Sequence, residues 1–420
     1  MLPTDCHADP EKSPMTTLRR PRVGILTYHF SENFGALMQA YGLQTWLREQ
    51  GCDAEFINYH PSHVEEGGSF WGNLVRGKAK GAAKVAFLRF AAVKRRIKGE
   101  ADHTEVFLDF QRDVLGVHGP ALPDGPAVDA WLAGPEGRFD MLVCGSDQIW
   151  APSDQFGVDP VYYLRFPGGA QGARRISYAP SFGRAKLDKT YAAEVKSDLE
   201  RLDGVSVREQ SGVDIVREIT GRDAACVPDP TILLGDFSGL VSQAKTTPAD
   251  GHVFCYALRT GQRIRDVAML AGEQTGGAVL SPYNVHRRWP EIGETITPTP
   301  AEWVAYAQKA AFIVTNSFHG TVFAILFRKP FLTVGLPGKR AGLNERSKNL
   351  LSTLGLMDRF IPEDLDEAGI RARMEAPIDW EAAGLKLAAL QEDGRSYLRG
   401  QLEQLRFFSE RHAMEVVSHA

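Results

Sequence analysis

Short apolar runs alternate with stretches of helical periodicity along the chain, and the clearest unit lies late. Ala311-Phe312-Ile313-Val314-Thr315 is an apolar run too short for a free-standing helix and rich in β-branched residues at its end. It predicts a buried strand. The pattern breaks at Asn316-Ser317 and resumes as an apolar helix over 321–327, which Arg328-Lys329-Pro330 ends. Phe331-Leu332-Thr333-Val334 is the next strand, which completes a βαβ unit. His319 sits at the crossing from strand to helix, with Gly320 behind it. Ligands of open α/β sheets bind at the carboxyl ends of strands, and helix N-termini attract anions. A histidine there suits acid/base work or the binding of phosphate and carboxylate. The plainer alternative is that it only caps the helix.

The same alternation opens the chain. A strand over 22–28, a helix with apolar positions from Leu37 to Leu47, and a strand over 54–59 form a Rossmann-like start. The intervening loop lacks a GxGxxG fingerprint, so a dinucleotide is not favoured. Asn33 and Gly35 suggest close approach of a polar ligand to the backbone, against a simple cap by Asn33 or Ser31. A surface helix is expected over 107–114. A strand over 139–144 ends in Gly145-Ser146-Asp147-Gln148-Ile149-Trp150. Asp147 and Gln148 suit sugar hydroxyls, and Trp150 suits either sugar stacking or the core. A strand over 174–179, a helix over 191–202 and a short strand over 204–209 follow. Arg208 ends that last strand. It can pair with Glu209 or Asp229, or its guanidinium fork can clamp a carboxylate or phosphate.

The expected fold class is α/β, with two Rossmann-like domains facing across a cleft. Residues 1–20 read as a disordered lead-in, 21–235 as the N-terminal domain, and 236–251 as a linker. Residues 252–384 read as the C-terminal domain, and 385–420 as a terminal helix. Thr299-Pro300-Ala301-Glu302 is a strong helix start in that second domain. His286-Arg287-Arg288-Trp289 forms a basic corner.

Composition narrows the function classes. The 420 residues carry a formal net charge of −4, which argues against a general nucleic-acid partner. The five cysteines are scattered without metal spacing, so no metal or other cofactor is expected. No stretch reaches the ~20 apolar residues of a membrane span, and the first residues lack a secretory core. A cytoplasmic protein is therefore expected. One segment qualifies this. Residues 67–99 hold nine Lys and Arg and no Asp or Glu, interleaved with apolar residues, and read as a basic helical insertion. Such a helix can cover a domain with its apolar face and offer its charges to an anionic membrane, at the inner face of which the protein would then sit.

Five motifs occur in one order: Thr27-Tyr28-His29 with Asn33-Phe34-Gly35-Ala36, Gly145-Ser146-Asp147-Gln148-Ile149-Trp150, Ser206-Val207-Arg208-Glu209, Asp229-Pro230-Thr231, and Ser317-Phe318-His319-Gly320-Thr321. Together they resemble the polysaccharide pyruvyl transferase family. The resemblance implies a glycosyltransferase-B-like fold and transfer of a pyruvyl group from phosphoenolpyruvate, the co-substrate, onto a sugar as a cyclic ketal. It implies donor binding by Arg208 and His319. Some members carry an arginine two residues before the histidine. Here that position is Ser317, so Lys339, Arg340 or Arg346 must supply the charge, beside Phe318 and Gly320 on the donor side. His319 is the expected acid, with His29 a second acid or base. Acceptor contacts fall on Tyr28, Asn33, Gly35, Ser146, Asp147 and Gln148, for a sugar or lipid-linked oligosaccharide of a cell-surface or exopolysaccharide precursor. Two competing readings are a nucleotide-sugar glycosyltransferase of the same fold and a non-catalytic member of a polysaccharide assembly complex.

Overall fold

The structure, a computed structural model, describes residues 19–61, 101–153, 156–283 and 292–418, without the side chains of 101–103, 339 and 406–418. The basic segment 67–99 and the corner 286–289 lie outside the described residues.

Two parallel sheets carry the fold. In the first, β1 (Arg22–Leu26), β2 (Asp53–Phe56), β3 (Met141–Cys144) and β4 (Arg174–Ser177) stand in the order β2-β1-β3-β4. The pair β5 (Ser206–Val207) and β6 (Ala225–Cys226) joins the open edge through a parallel bridge from Ile176 to Gly204. The second sheet contains β7 (Val253–Tyr256), β8 (Val279–Pro282), β9 (Glu294–Ile296), β10 (Phe312–Thr315), β11 (Phe331–Val334) and β12 (Phe360–Ile361). Its order is β12-β11-β10-β7-β8-β9, a doubly wound arrangement. The winding reverses between β1 and β3 in the first sheet and between β7 and β10 in the second. Those are the crevices where such sheets take ligands.

The helices are α1 (Phe34–Glu49), α2 (Ala101–Asp109), α3 (Gly125–Ala133), α4 (Lys189–Leu199), α5 (Gln210–Thr220), α6 (Pro230–Leu234) and α7 (Ser238–Val241) in the first half. Then come α8 (Gln262–Thr275), α9 (Pro300–Lys309), α10 (Phe318–Leu326), α11 (Glu345–Leu354), α12 (Glu367–Glu375) and α13 (Trp380–Ser418). The start of α9 is the expected capping box: Thr299 and Glu302 each accept the other's backbone N–H. In α10 eight of nine residues are buried, which is why its sequence is apolar all round.

Several expectations shift. The helix after β10 begins at Phe318 rather than 321, because the Ser317 side chain accepts the Gly320 N–H and starts the first turn there. The strand expected over 54–59 ends at Phe56, and Tyr59 turns away to bridge Leu122. The surface helix over 107–114 ends at Asp109 and runs on as a π-type turn over Phe110–Val114. It lies at the surface with one face buried through Phe107 and Phe110 and Leu108, Asp109, Arg112 and Asp113 exposed. The stretch 236–251 contains α7, and its Thr246 donates through both N–H and hydroxyl to Glu302 of α9.

One hydrophobic core runs through both halves. Phe34, at the start of α1, stacks on Trp303 of α9 with centroids 5.5 Å apart and planes 10° apart. From the other end α13 returns to the first half. Tyr397 donates to the Ser177 carbonyl, while Gln391 and Arg395 donate to the last carbonyls of α6.

Candidate active site

The loops after β1, β3, β5, β6 and β10 converge on one buried ion cluster. Its centre is Asp229, the cap of α6, fully buried at 1% exposure. Asp229 Oδ1 accepts from the Thr231 N–H at 3.0 Å and hydroxyl at 2.7 Å. Its Oδ2 takes Arg208 Nη1 at 2.9 Å and the Ser146 hydroxyl at 3.3 Å, and faces His319 Nε2 at 3.5 Å. Burial pushes this carboxyl up, but His319, Arg208 and the Thr231 N–H outweigh burial and hold it well below the usual carboxylate range. Arg208 comes from the first half and His319 from the second, so the carboxylate bridges the two.

A second carboxylate repeats that role. Asp147, in the left-handed conformation with φ 67°, points Oδ1 at Arg208 Nη2 (3.7 Å) and Arg346 Nη1 (3.5 Å). Both guanidinium groups lie over the ring of Phe318, at 5.1 and 5.8 Å from its centroid. Glu209 takes the remaining edge of Arg208 at 3.1 Å. Burial works against the charge of Arg208, but Glu209, Asp229 and Asp147 outweigh it. Arg346 is pushed down by burial and by Arg208 beside it. Three buried nitrogens of this cluster have no hydrogen-bond partner: Arg208 Nη2, Arg346 Nε and His319 Nε2.

His319 is walled on its other edge. A Cβ placed on Gly35 would meet its Nδ1 at 2.1 Å, so Gly35 brings the N-terminus of α1 directly against the ring. The expected close approach at Gly35 is thus made to a side chain of the second half. Asn33 caps α1, accepting from the N–H groups of Gly35 and Ala36. Gly320 has a similar packing reason, since a Cβ there would lie 2.2 Å from Thr315 Oγ1. Ser146 is spent inside the fold: its hydroxyl donates to the Ala179 carbonyl and its N–H to Gln39 Oε1. Of the three cations weighed to stand in for a charge at Ser317, the structure brings Arg346 to Arg208. Arg340 is exposed, and the Lys339 side chain lies outside the described ones.

Other expected residues stand apart. His29 is fully buried and stacked on Phe56, with Nδ1 against the Thr27 carbonyl and Nε2 against Asn58 Oδ1. The structure does not bring it to the cluster. Tyr28 is half-buried, edge-on to Tyr162, and burial and then Asp147 and Asp159 push its hydroxyl up. Gln148 lies against Gly183. Trp150 is core: it stacks on Tyr163 and donates to the Tyr162 carbonyl. Sequence reasoning weighed Asp229 as an ion-pair partner of Arg208 and not as a site residue. It missed Gln39, which ties Ser146 to Thr27.

A family model described as polysaccharide pyruvyl transferase matches residues 33–336. Among curated proteins none matches. Among solved structures, UDP-N-acetylglucosamine 2-epimerase from Rickettsia bellii is similar over 93% of this chain and 98% of its own, with TM-score 0.51 and 9% identity. UDP-GlcNAc 2-epimerase from Neisseria meningitidis is similar over 91% and 99%, with TM-score 0.49 and 7% identity. At 9% identity the likeness to the Rickettsia bellii structure is one of fold, two Rossmann-like domains of the glycosyltransferase-B kind. Among the described residues no helix is long and apolar enough to cross a membrane.

Proposed function

The chain belongs to the polysaccharide pyruvyl transferase family, and on that premise we propose that it moves the pyruvyl group of phosphoenolpyruvate onto a sugar of a polysaccharide precursor, closing a cyclic ketal. The observation that carries this reading is the set of three orphaned nitrogens. A buried donor without a partner costs about 1–3 kcal/mol. Two arginines over Phe318 and a histidine edge-on to it, all in that condition, make a site that an anionic ligand would complete. Phosphoenolpyruvate brings a carboxylate and a phosphate, enough for both guanidinium groups. The N-terminus of α10 adds its dipole.

In the reaction the oxygen of one sugar hydroxyl bonds to C2 of the donor, while C3 takes a proton and becomes a methyl group. His319 Nε2, aimed into the anion cluster, supplies that proton. The C2–O bond to phosphate then breaks, and a second hydroxyl of the same sugar bonds to C2. Of the two protons the hydroxyls lose, one balances the proton delivered to C3 and the other leaves with phosphate. Asp147, Tyr28 and Gln148 line the first-half loops, where the acceptor would approach, and sugar hydroxyls suit their polar groups.

Thermal shift with phosphoenolpyruvate, UDP-sugars and GDP-sugars tests the donor. Stabilisation by phosphoenolpyruvate is expected. Stabilisation by a nucleotide sugar with none from phosphoenolpyruvate would sink this reading in favour of glycosyl transfer. The cation run at 67–99 extends the reading to an anionic membrane surface, where a lipid-linked acceptor would reside. Pelleting with anionic liposomes tests that extension, and absence of binding at every salt concentration rejects it.

A further inference from the structure

Asp229 does more than a helix cap requires. Capping α6 takes one oxygen, and Oδ1 alone accepts from Thr231. That double contact fixes the carboxylate plane and leaves Oδ2 facing the cluster. There Oδ2 meets Arg208 from one half and His319 from the other. The His319 ring is held between two surfaces: Gly35 covers Nδ1, and Nε2 faces Asp229. We propose that Asp229 is a positioning residue whose Oδ2 fixes the His319 ring so that its proton resides on Nε2 and faces the anion site.

The arrangement explains why a carboxylate sits inside an anion site. A carboxylate oxygen 3.5 Å from Nε2, outside hydrogen-bond geometry, favours the proton on that nitrogen by its charge, and Nδ1 sits close to the Gly35 backbone. The groups that face this pair are Arg208 after β5, Arg346 on α11, Asp147 after β3 and the Ser146 hydroxyl, with the uncharged N-terminus of α1 behind the ring. Among the described residues Asp229 is the carboxylate that comes within ion-pair distance of Nε2. The inference rests on the pyruvyl-transfer reading only for which step the proton serves.

The test is the variant Asp229→Ser in the full chain. Serine is a good helix cap, so the cap survives while the reach to His319 is removed. Long-range 1H–15N correlation of the histidine rings reports the tautomer, read at alkaline pH without donor, with His319→Gln identifying the signal. The wild type should show the Nε2–H form, and Asp229→Ser a mixture. Turnover of phosphoenolpyruvate should fall about 100-fold in kcat, as for a misaimed catalytic group, with KM much less affected. An unchanged ring tautomer would overturn the inference, as would a loss confined to KM or to thermal stability. Should Asp229→Ser fail to fold, Asp229→Asn is read the same way, and a wild-type tautomer there overturns the inference equally. Because the ring spectrum needs no donor, a changed tautomer with no turnover by the wild type rejects the pyruvyl-transfer reading and leaves the positioning role standing.

Discussion

Gly35→Ala is the sharpest perturbation the structure offers, because it adds one methyl group where the halves meet. The new Cβ would lie 2.1 Å from His319 Nδ1, 2.6 Å from Cγ and 2.9 Å from Cβ. The closest of these is roughly 1.4 Å inside an optimal ~3.5 Å contact. Gly35 is helical and its φ is not positive, so the backbone accepts alanine, and helix propensity favours the change by up to ~1 kcal/mol. Overpacking a rigid ring costs about 1–3 kcal/mol. The net effect on stability is therefore a loss of up to about 3 kcal/mol. The effect on catalysis is not small. The ring must swing or shift by about 1 Å, and a misplacement of that size costs on the order of 100-fold in rate. The measurement pairs urea unfolding with phosphate release from phosphoenolpyruvate. Gly119→Ala is the control, since a Cβ there meets nothing within 4 Å. Wild-type turnover in Gly35→Ala would mean that His319 does not rest on α1, and the geometry argued for the site would fall with it.

Arg346→Ala should raise KM for phosphoenolpyruvate by more than tenfold, since a charge-assisted bond is worth about 1.5–3 kcal/mol. Arg340→Ala, at an exposed position, should leave KM unchanged. Equal effects of the two in steady-state kinetics would remove Arg346 from the donor site. Phe34→Ala empties the stack on Trp303 and should cost about 3–5 kcal/mol in urea unfolding; a cost under about 1 kcal/mol would mean the stack is not made. Asp198 is fully buried, with Arg165 at 3.5 Å and Arg201 at 3.7 Å but no hydrogen bond. Burial raises its pKa from 3.8 to about 6, only partly offset by those arginines. A carboxyl raised in the folded state destabilises once it ionises, so the penalty is absent below pH 3.8 and complete above about 6. The stability of Asp198→Asn relative to wild type should therefore rise between pH 4 and 7 by up to about 3 kcal/mol. A pH-independent difference would refute the shifted carboxyl.

Period and length made the strands and helices around the site legible. The run Phe312–Thr315, the glycine at 320 and the proline at 330 mark one βαβ unit without ambiguity, and β10, α10 and β11 follow them. What one dimension hides is the direction of a side chain after a turn. Asp229-Pro230 reads as a cap and is one, yet nothing in the string says that Oδ2 points across to the other half. His29 follows a strand end just as His319 follows another. It turns inward because Phe56 offers a ring to stack on and Thr27 and Asn58 offer oxygens to its nitrogens. Lys339, Arg340 and Arg346 are equivalent as charges in a loop and a helix start. The position of α11 over Phe318 singles out Arg346, and only packing reveals it. Phe34, between the loop residues Asn33 and Gly35, is the aromatic peg between the sheets.

That peg decides how a donor can enter. A cleft between two Rossmann-like domains suggests a hinge, and here the two sides share one core. Parting Gly35 from His319 would pull Phe34 off Trp303. Two such rings bury roughly 300–500 Å² between them. Exposing half of that costs about 4–6 kcal/mol at ~25 cal/mol per Å², a population penalty of at least ~1,000-fold before the Tyr397, Gln391 and Arg395 bonds of α13 are broken. The cheaper move is local. Asp147 lies between Arg208 and Arg346 at ion-pair distances longer than a good hydrogen bond, on an eight-tenths-buried side chain. Under the proposed function, an anionic donor that takes both guanidinium groups would replace the weak Asp147 contacts and fill the orphaned donors of the arginines, while Asp229 stays beside His319. Binding by displacement at 147, with the halves fixed at 35 and 319, is the motion this core permits.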